Sequence, residues 1–200
     1  MFDNLFYHIE LKIHLTDQEK AIIQTFLVPK KLKSKQYLLQ QGDHCKSFTF
    51  VSKGLLKSYN VDEKGNEHIS VFAWEGWWVS DMPSFFTGKE ATLNIEAMES
   101  SELLTITLVN YNLLLDQVSV MERYFRMLYQ NSLLTKDLRL MSAATHTAEE
   151  KYISLIRSHP ELVQRVPQNL IASYLGLAPE TISRIKQKLG CNHRADLNQP

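Results

Sequence analysis

The sequence predicts an α+β protein with an N-terminal jelly-roll β-barrel, a long dimerisation helix and a C-terminal helix-turn-helix unit of winged-helix-like kind. Three observations predict it. Between about Lys35 and Thr107, short segments rich in aromatic and branched residues alternate with turn signals. From Asn110 to about Ala144 there is neither glycine nor proline. Near the C-terminus, IASYLGLAPETISRIKQKLG, Ile171 to Gly190, carries the spacings of two helices meeting at a sharp angle. The expected boundaries are 1–109 for the barrel, 110–144 for the long helix and 145–200 for the helical unit.

Bulk properties narrow the choice. Two hundred residues with 44% hydrophobic content can bury a substantial core. No apolar run approaches the roughly 18 residues that span a bilayer, and MFDNLFYHIELKIH is acidic where a secretory signal starts basic, so a cytoplasmic protein with no membrane partner is expected. Cys45 and Cys191 match no CxxC pattern and read as two free thiols. The 22 basic and 22 acidic side chains cancel, which argues against a polyelectrolyte coating nucleic acid and leaves room for a local basic face. From His146 onward Lys151, Arg157, Arg165, Arg184, Lys186, Lys188 and Arg194 face Glu149, Glu150, Glu161, Glu180 and Asp196, with the excess placed after residue 183.

Taken in order, LTDQEKAIIQTFL opens with Thr16 and, three residues on, Glu19, the spacing of a capping box ahead of one short helix. The segments QYLLQ, SFTFVS, LLKSYNV, HISVFAW, TLNIEAM and ELLTITL then read as strands, separated by turns at Gln41-Gly42-Asp43, Ser52-Lys53-Gly54, Asp62 to Asn66 and Thr87-Gly88-Lys89. In the long helix, Met127, Leu134, Leu138 and Met141 form an apolar seam with Asn131 at the intervening position. A length near 30 residues projects about 45 Å, more than a small barrel needs, so a second copy of the same helix is the expected cover and a homodimer the expected assembly. The alternative is a helix lying wholly on its own barrel. AEEKYISLIRSHPELVQRV supplies a further amphipathic helix ended by His159-Pro160, then a short extended link through Val166-Pro167.

In the last stretch Ala172 supplies a small residue where two helices approach, and Gly176 tolerates the positive φ of a sharp turn. Leu175, Leu177, Ile182, Ile185 and Leu189 fill the wedge, and Pro179 fits the first helical position. Ala178 before it is a poor cap. Glu180 in the first turn, and Lys186 and Lys188 in the expected last turn, complement the helix dipole. With Ile182, Ile185 and Leu189 facing inward, Glu180, Thr181, Ser183, Arg184, Gln187 and Lys188 face out. Arginine can give two donors to guanine and glutamate can accept from cytosine, while hydroxyls, lysines and the Gln168 and Asn169 amides hold phosphates. The candidate DNA-binding set is therefore Gln168, Asn169, Glu180, Thr181, Ser183, Arg184, Lys186 and Lys188, with double-stranded DNA as the partner. A plain helical hairpin is the alternative, and it has no need of this exposed set.

A barrel, a long helix and then IASYLGLAPETISRIKQKL, in this order over nearly the whole chain, resemble the Crp/Fnr transcription regulators, named for the cyclic AMP receptor protein. Gly76 to Asp81 and Ile171 to Glu180 echo the GWWVGD-like and IASYLGITPE-like segments of the divergent members typical of Bacteroidetes. The resemblance implies a cyclic-nucleotide-binding-like barrel, a homodimer joined along the long helix, recognition helices in successive major grooves of a near-palindromic site, and RNA polymerase as a further partner. It places Glu180 and Arg184 at the family's base-reading positions. Pro179 stands where some members carry another base-reading arginine.

The resemblance also locates a candidate effector pocket. Ser80 and Asp81 match the glycine and glutamate that meet the ribose in nucleotide-binding members, and Ala91 and Thr92 match the arginine and hydroxyl residue that meet the cyclic phosphate. The arginine is replaced by alanine, so a buried phosphate would lack its cation. The expectation is a barrel that does not bind cyclic AMP and no cofactor; a regulator gated by a cyclic nucleotide or another small molecule is the alternative. Trp78, with Trp74, Trp77, Phe85 and Phe86, either lines a pocket for another effector or packs as core. His44 beside Cys45 hints only thinly at a metal or haem.

An enzyme on the barrel is the rival of another class. Jelly-roll metalloenzymes hold a metal with closely spaced histidines and a carboxylate, and His8, His14, His44, His68, His146, His159 and His193 offer no such constellation. Nor is there a phosphate-binding glycine loop or a GxSxG turn. A third reading is a regulatory module that has lost DNA contact, against which Arg184, Lys186 and Lys188 argue.

Overall fold

The computed structural model describes the backbone of residues 1–196 and the side chains of residues 1–189. Cys191, His193, Arg194 and Asp196, weighed in the sequence, have their side chains outside the described residues. The chain divides into two compact units, Met1–Ser132 and Leu133–Pro200.

Two helices open the first unit, α1 (Phe2–Glu10) and α2 (Asp17–Phe26). The Thr16 capping box is formed: the Thr16 hydroxyl accepts from the Glu19 amide and the Glu19 carboxylate from the Thr16 amide. The sequence reading contained no helix at α1. Its Leu5, Phe6 and Ile9 sit on one helical face and are buried, and only the barrel behind them makes that face stable. Asn4 donates to the Ser52 carbonyl and Ser52 donates to the Met1 carbonyl, which fastens α1 to the sheet.

Eight strands follow: β1 (Val28–Leu32), β2 (Tyr37–Leu39), β3 (Phe48–Lys53), β4 (Leu56–Val61), β5 (Glu67–Ala73), β6 (Trp78–Val79), β7 (Asn94–Ala97) and β8 (Ser101–Ile106), with α3 (Met82–Thr87) between β6 and β7. They form two four-stranded antiparallel sheets, β1-β8-β3-β6 and β2-β7-β4-β5, the double-sheet arrangement of a jelly roll. The two inner strands of the first sheet, β8 and β3, are buried on both faces. Leu32, Val51, Val79 and Leu103 pack with Leu56, Ile95 and Ala97 of the second sheet, while Phe48, Phe50, Leu104 and Ile106 pack with the helices. That double burial takes in polar Thr49 and Ser52 along with Phe48, Phe50 and Val51, although SFTFVS largely alternates polar and apolar residues. On the second sheet Lys57 is buried and paired, with its ammonium 2.5 Å from Glu67, 3.4 Å from Glu96 and 4.3 Å from the Tyr59 ring centre.

One helix was expected from Asn110 to about Ala144; there are two, α4 (Leu108–Gln117) and α5 (Val120–Thr145). The chain leaves helical geometry at Val118 (φ −126°, ψ 75°), whose side chain is buried. Ser119, with Glu122 three residues on, has helix-start spacing that the absence of glycine and proline masked. The break lets Tyr111 and Leu114 of α4 and Met121, Tyr124 and Phe125 of α5 enter one core. A straight rod of that length would carry one of these groups away from it. The long helix therefore begins at Val120, and the start at residue 110 is corrected.

The second unit holds the C-terminal part of α5, then α6 (Ala148–Ser158), α7 (Pro160–Arg165), α8 (Gln168–Leu175) and α9 (Pro179–Asp196). Thr147 and Glu150 cap α6 reciprocally. Pro160 ends α6 as expected and also starts α7, a helix absent from the sequence reading, at the position where its missing N–H costs nothing. Tyr152, Leu155, Leu162, Val166, Ile171, Ala172, Ile182 and Ile185 form the core. Among the described residues this unit is all helix.

Candidate nucleic-acid interface

The α8–α9 hairpin turns at Gly176, whose φ of 67° and ψ of 37° lie in the left-handed region. Its amide donates to the Ser173 carbonyl at 3.1 Å, and the Leu177 amide donates to the Ala172 carbonyl at 2.9 Å. These paired bonds are the Schellman closure of a helix end, which a residue with a Cβ reaches only with strain. Ala172 is fully buried where the helices approach, and Ile182 and Ile185 of α9 are buried with it. Leu175, Leu177 and Leu189 are half-buried. Ala178 precedes α9, and its carbonyl accepts from the Thr181 and Ile182 amides.

With that face fixed, Glu180, Ser183, Arg184, Lys186, Gln187 and Lys188 are exposed and Thr181 is half-buried. The Arg184 guanidinium is outside the fold, as base contact requires. The helix continues through Gly190 to Asp196, so Lys186 and Lys188 lie in its middle, and their expected place in its last turn is corrected. Lys188 pairs with Glu149 of α6 at 2.7 Å. On α8 Asn169 is exposed, while the half-buried Gln168 spans the hairpin: its amide donates to Ser183 Oγ at 2.7 Å and to the Pro179 carbonyl at 3.3 Å. Gln168 and Ser183 thus buttress the start of α9, an interlock that residue types alone did not announce.

On α5 the seam is uncovered. Leu134, Leu138 and Met141 are 61%, 67% and 63% exposed, and Asn131 is exposed between them and the half-buried Met127. Leu133 and Leu140 are exposed too, and at 100° per residue they fall on nearly the opposite side of α5 from Leu138.

The effector candidates are engaged in internal contacts, and two of them, Asp81 and Thr92, bond to each other. Asp81 is buried and caps α3: its Oδ1 accepts from the Ser84 amide at 3.0 Å, and its Oδ2 from the Thr92 amide at 2.8 Å, the Thr92 hydroxyl at 3.2 Å and the Leu93 amide at 3.2 Å. The donors nearest the position implied for a phosphate therefore hold an internal carboxylate. Ala91 is buried core. Ser80 donates to the Ser47 carbonyl and lies 3.1 Å from the Cys45 sulfur. Trp78 packs against Phe48, Phe50 and Phe125, and its indole N–H donates to Tyr124, whose hydroxyl burial pushes up to about 12. A cavity of about 450 Å³ adjoins the effector candidates, over Leu38, Leu39, Val79 and Ile95 and beside Cys45 and Ser47, the partners of Ser80, with exposed Lys30, His44 and Lys46 at its edge. Among the described residues no three His, Cys, Asp or Glu side chains converge on a metal position, and no helix is long and apolar enough to cross a membrane.

The cyclic nucleotide-binding domain family matches residues 29–117. The regulatory protein HlyX of Actinobacillus pleuropneumoniae is 24% identical over 193 residues, which cover 88% of this chain and 77% of that protein. The fumarate and nitrate reduction regulatory protein of Vibrio cholerae is 25% identical over 182 residues, 84% of this chain and 70% of that protein. FixK2 from Bradyrhizobium japonicum superposes with a TM-score of 0.71 at 16% identity, over 84% of this chain and 86% of that one, and so shares the fold. Both of these relatives are regulatory proteins by name.

Proposed function

We propose that this chain is a transcription regulator of the Crp/Fnr type that acts on DNA as a cytoplasmic homodimer, inserting α9 of each subunit into the major groove. The observation that carries this reading is the division of α9. Ile182 and Ile185 are buried in a hairpin closed by Gly176, and Glu180 and Arg184 are exposed on the other side. Arg184 gives a guanine two donors, Glu180 accepts from a cytosine amine, and Lys186, Lys188, Thr181 and Asn169 hold phosphates. Gln168 and Ser183 act through their mutual hydrogen bond, which fixes the first turn of α9.

The seam of Leu134, Leu138 and Met141 supports dimerisation through α5. With Met127 and Asn131 these residues follow the 4-3-4-3 spacing of a two-stranded coiled coil, Asn131 being the polar core position that sets register. The barrel serves here as a scaffold without cyclic AMP: Ala91 brings no cation, and Thr92 already donates to Asp81. RNA polymerase is the partner that the Crp/Fnr kinship adds.

A mobility-shift series on DNA fragments selected from a random pool tests the reading. Arg184→Ala and Glu180→Ala are expected to weaken binding by about 1–3 kcal/mol each and to relax the preference at one base pair apiece. Unchanged affinity and base preference in both variants would remove α9 from the interface.

A further inference from the structure

We infer that Arg139 of α5 is a positioning residue that sets the angle of the helix-turn-helix hairpin on the end of α5, and through it the half-site spacing the dimer accepts. This rests on the DNA reading above. The guanidinium carbon stands 4.1 Å from the ring centre of Tyr174 on α8, and its Nη2 donates to the Tyr174 carbonyl at 3.3 Å. Arg139 is half-buried while Leu138 and Leu140 on either side of it are exposed, so it is where this part of α5 meets the hairpin.

The partner atom has its own meaning. Tyr174 is the penultimate residue of α8, and the last carbonyls of a helix lack intrahelical donors and carry the negative end of the helix dipole. A guanidinium there is attracted to both carbonyl and ring, and its planar fork fixes direction as well as distance. Two residues further on the chain turns at Gly176, and the hairpin beyond it carries Arg184. The Leu134, Leu138 and Met141 seam lies on the same stretch of α5. One side of that stretch thus faces the proposed partner copy and another grips the first helix of the hairpin. A two-fold dimer reads half-sites at one separation only when the recognition helices are held at a fixed distance.

The test uses the full chain and the selected operator with one or two base pairs inserted or deleted between half-sites. Wild-type protein is expected to prefer one spacing. Arg139→Ala is expected to lose about three- to tenfold affinity there, the worth of one hydrogen bond and one cation–π contact, and to bind the other spacings nearly as well as its own best, with base preference within each half-site intact. Arg139→Lys, which keeps the charge without the stacking plane, should fall between. An unchanged spacing profile, or an equal loss at every spacing, overturns the inference.

A readout free of DNA keeps the clamp and the interface separable. With Cys45 and Cys191 replaced by serine, spin labels at Asp137→Cys and Gln187→Cys, diluted with unlabelled chain, report the distance between α5 and α9 within one subunit. Arg139→Ala should broaden a narrow distribution, and Tyr174→Leu should do the same should the arginine variant fail to fold. A distribution equally narrow in the variant ends the proposal, whereas failure of Arg184→Ala to affect binding ends the DNA reading alone.

Discussion

The Oδ2 atom of Asp81 accepts both the amide and the hydroxyl of Thr92, at 2.8 and 3.2 Å, and through this contact the segment before α3 is tied to the segment before β7. The other oxygen caps α3 at the Ser84 amide. A buried carboxylate with four donors is a structural keystone, and its removal orphans every one of them. Asp81→Ala should lower the unfolding free energy by about 2–4 kcal/mol in urea, and Asp81→Asn, which retains acceptor capacity, by about half of that. A loss under about 0.5 kcal/mol for the alanine variant would show that water replaces the carboxylate.

Gly176 has open space where a Cβ would stand, so a side chain there meets backbone strain and no collision. Gly176→Ala should cost about 1–2 kcal/mol, and Gly176→Asn less, because asparagine tolerates the left-handed region. Unfolding of the isolated hairpin signal by amide exchange measures it, and an alanine variant as stable as wild type would mean that the turn relaxes to another geometry.

Two exposed stripes on α5 give opposite expectations for the dimer. Leu138→Glu should convert the protein to monomer in sedimentation, since it buries a charge in the seam, and Leu140→Glu should leave the dimer intact. The reverse pattern would move the interface to the Leu133 and Leu140 stripe.

Lys186 and Lys188 are both exposed on α9 but differ in company. Lys186→Ala should lower the slope of log affinity against log salt by about 0.9, the release of one counterion. Lys188 must leave Glu149 to reach a phosphate, so Glu149→Ala should raise affinity about two- to fivefold at low salt, the modest range of an exposed pair. No change in either variant would place both lysines away from the duplex.

His8 lies against Gly76 and edge-on to Phe50; burial, aided by the nearby Lys12 ammonium, holds its imidazole below the ordinary value of 6.5. The folded state therefore disfavours the protonated ring, and the unfolded chain binds the proton more readily. Stability is full above about pH 6.5 and declines as pH falls from there through the lower folded value. His8→Gln should remove that share of the decline in urea midpoints between pH 7 and pH 5; an identical pH profile would show that α1 moves away before the ring titrates. His159, also lowered by burial, adds its own share in the helical unit and serves as the internal comparison.

Much of this was legible in residue order. Gly176, Ala172, Ile182 and Ile185 announced the hairpin because a sharp turn between helices restricts local residue types, and the turn glycines of the barrel announced its strands for the same reason. The helices α1 and α7, nine and six residues long, have no side-chain cap and hold their shape through burial, whereas the six-residue α3 carried local signals in Asp81, Pro83 and Gly88 that were passed over. The break at Val118 was hidden because its cause is a shared core, and Ser119 gave only a faint local sign.

By itself the sequence determined the jelly roll, the order of its parts and which face of α9 looks outward, since periodicity and turn chemistry act within a few residues. Only the tertiary structure decided that Asp81 occupies the donors of Thr92, that Gln168 braces Ser183, and that Arg139 reaches Tyr174 thirty-five residues away. Each of these joins segments far apart in the chain, and whether such groups meet depends on how the elements pack, which no local pattern encodes.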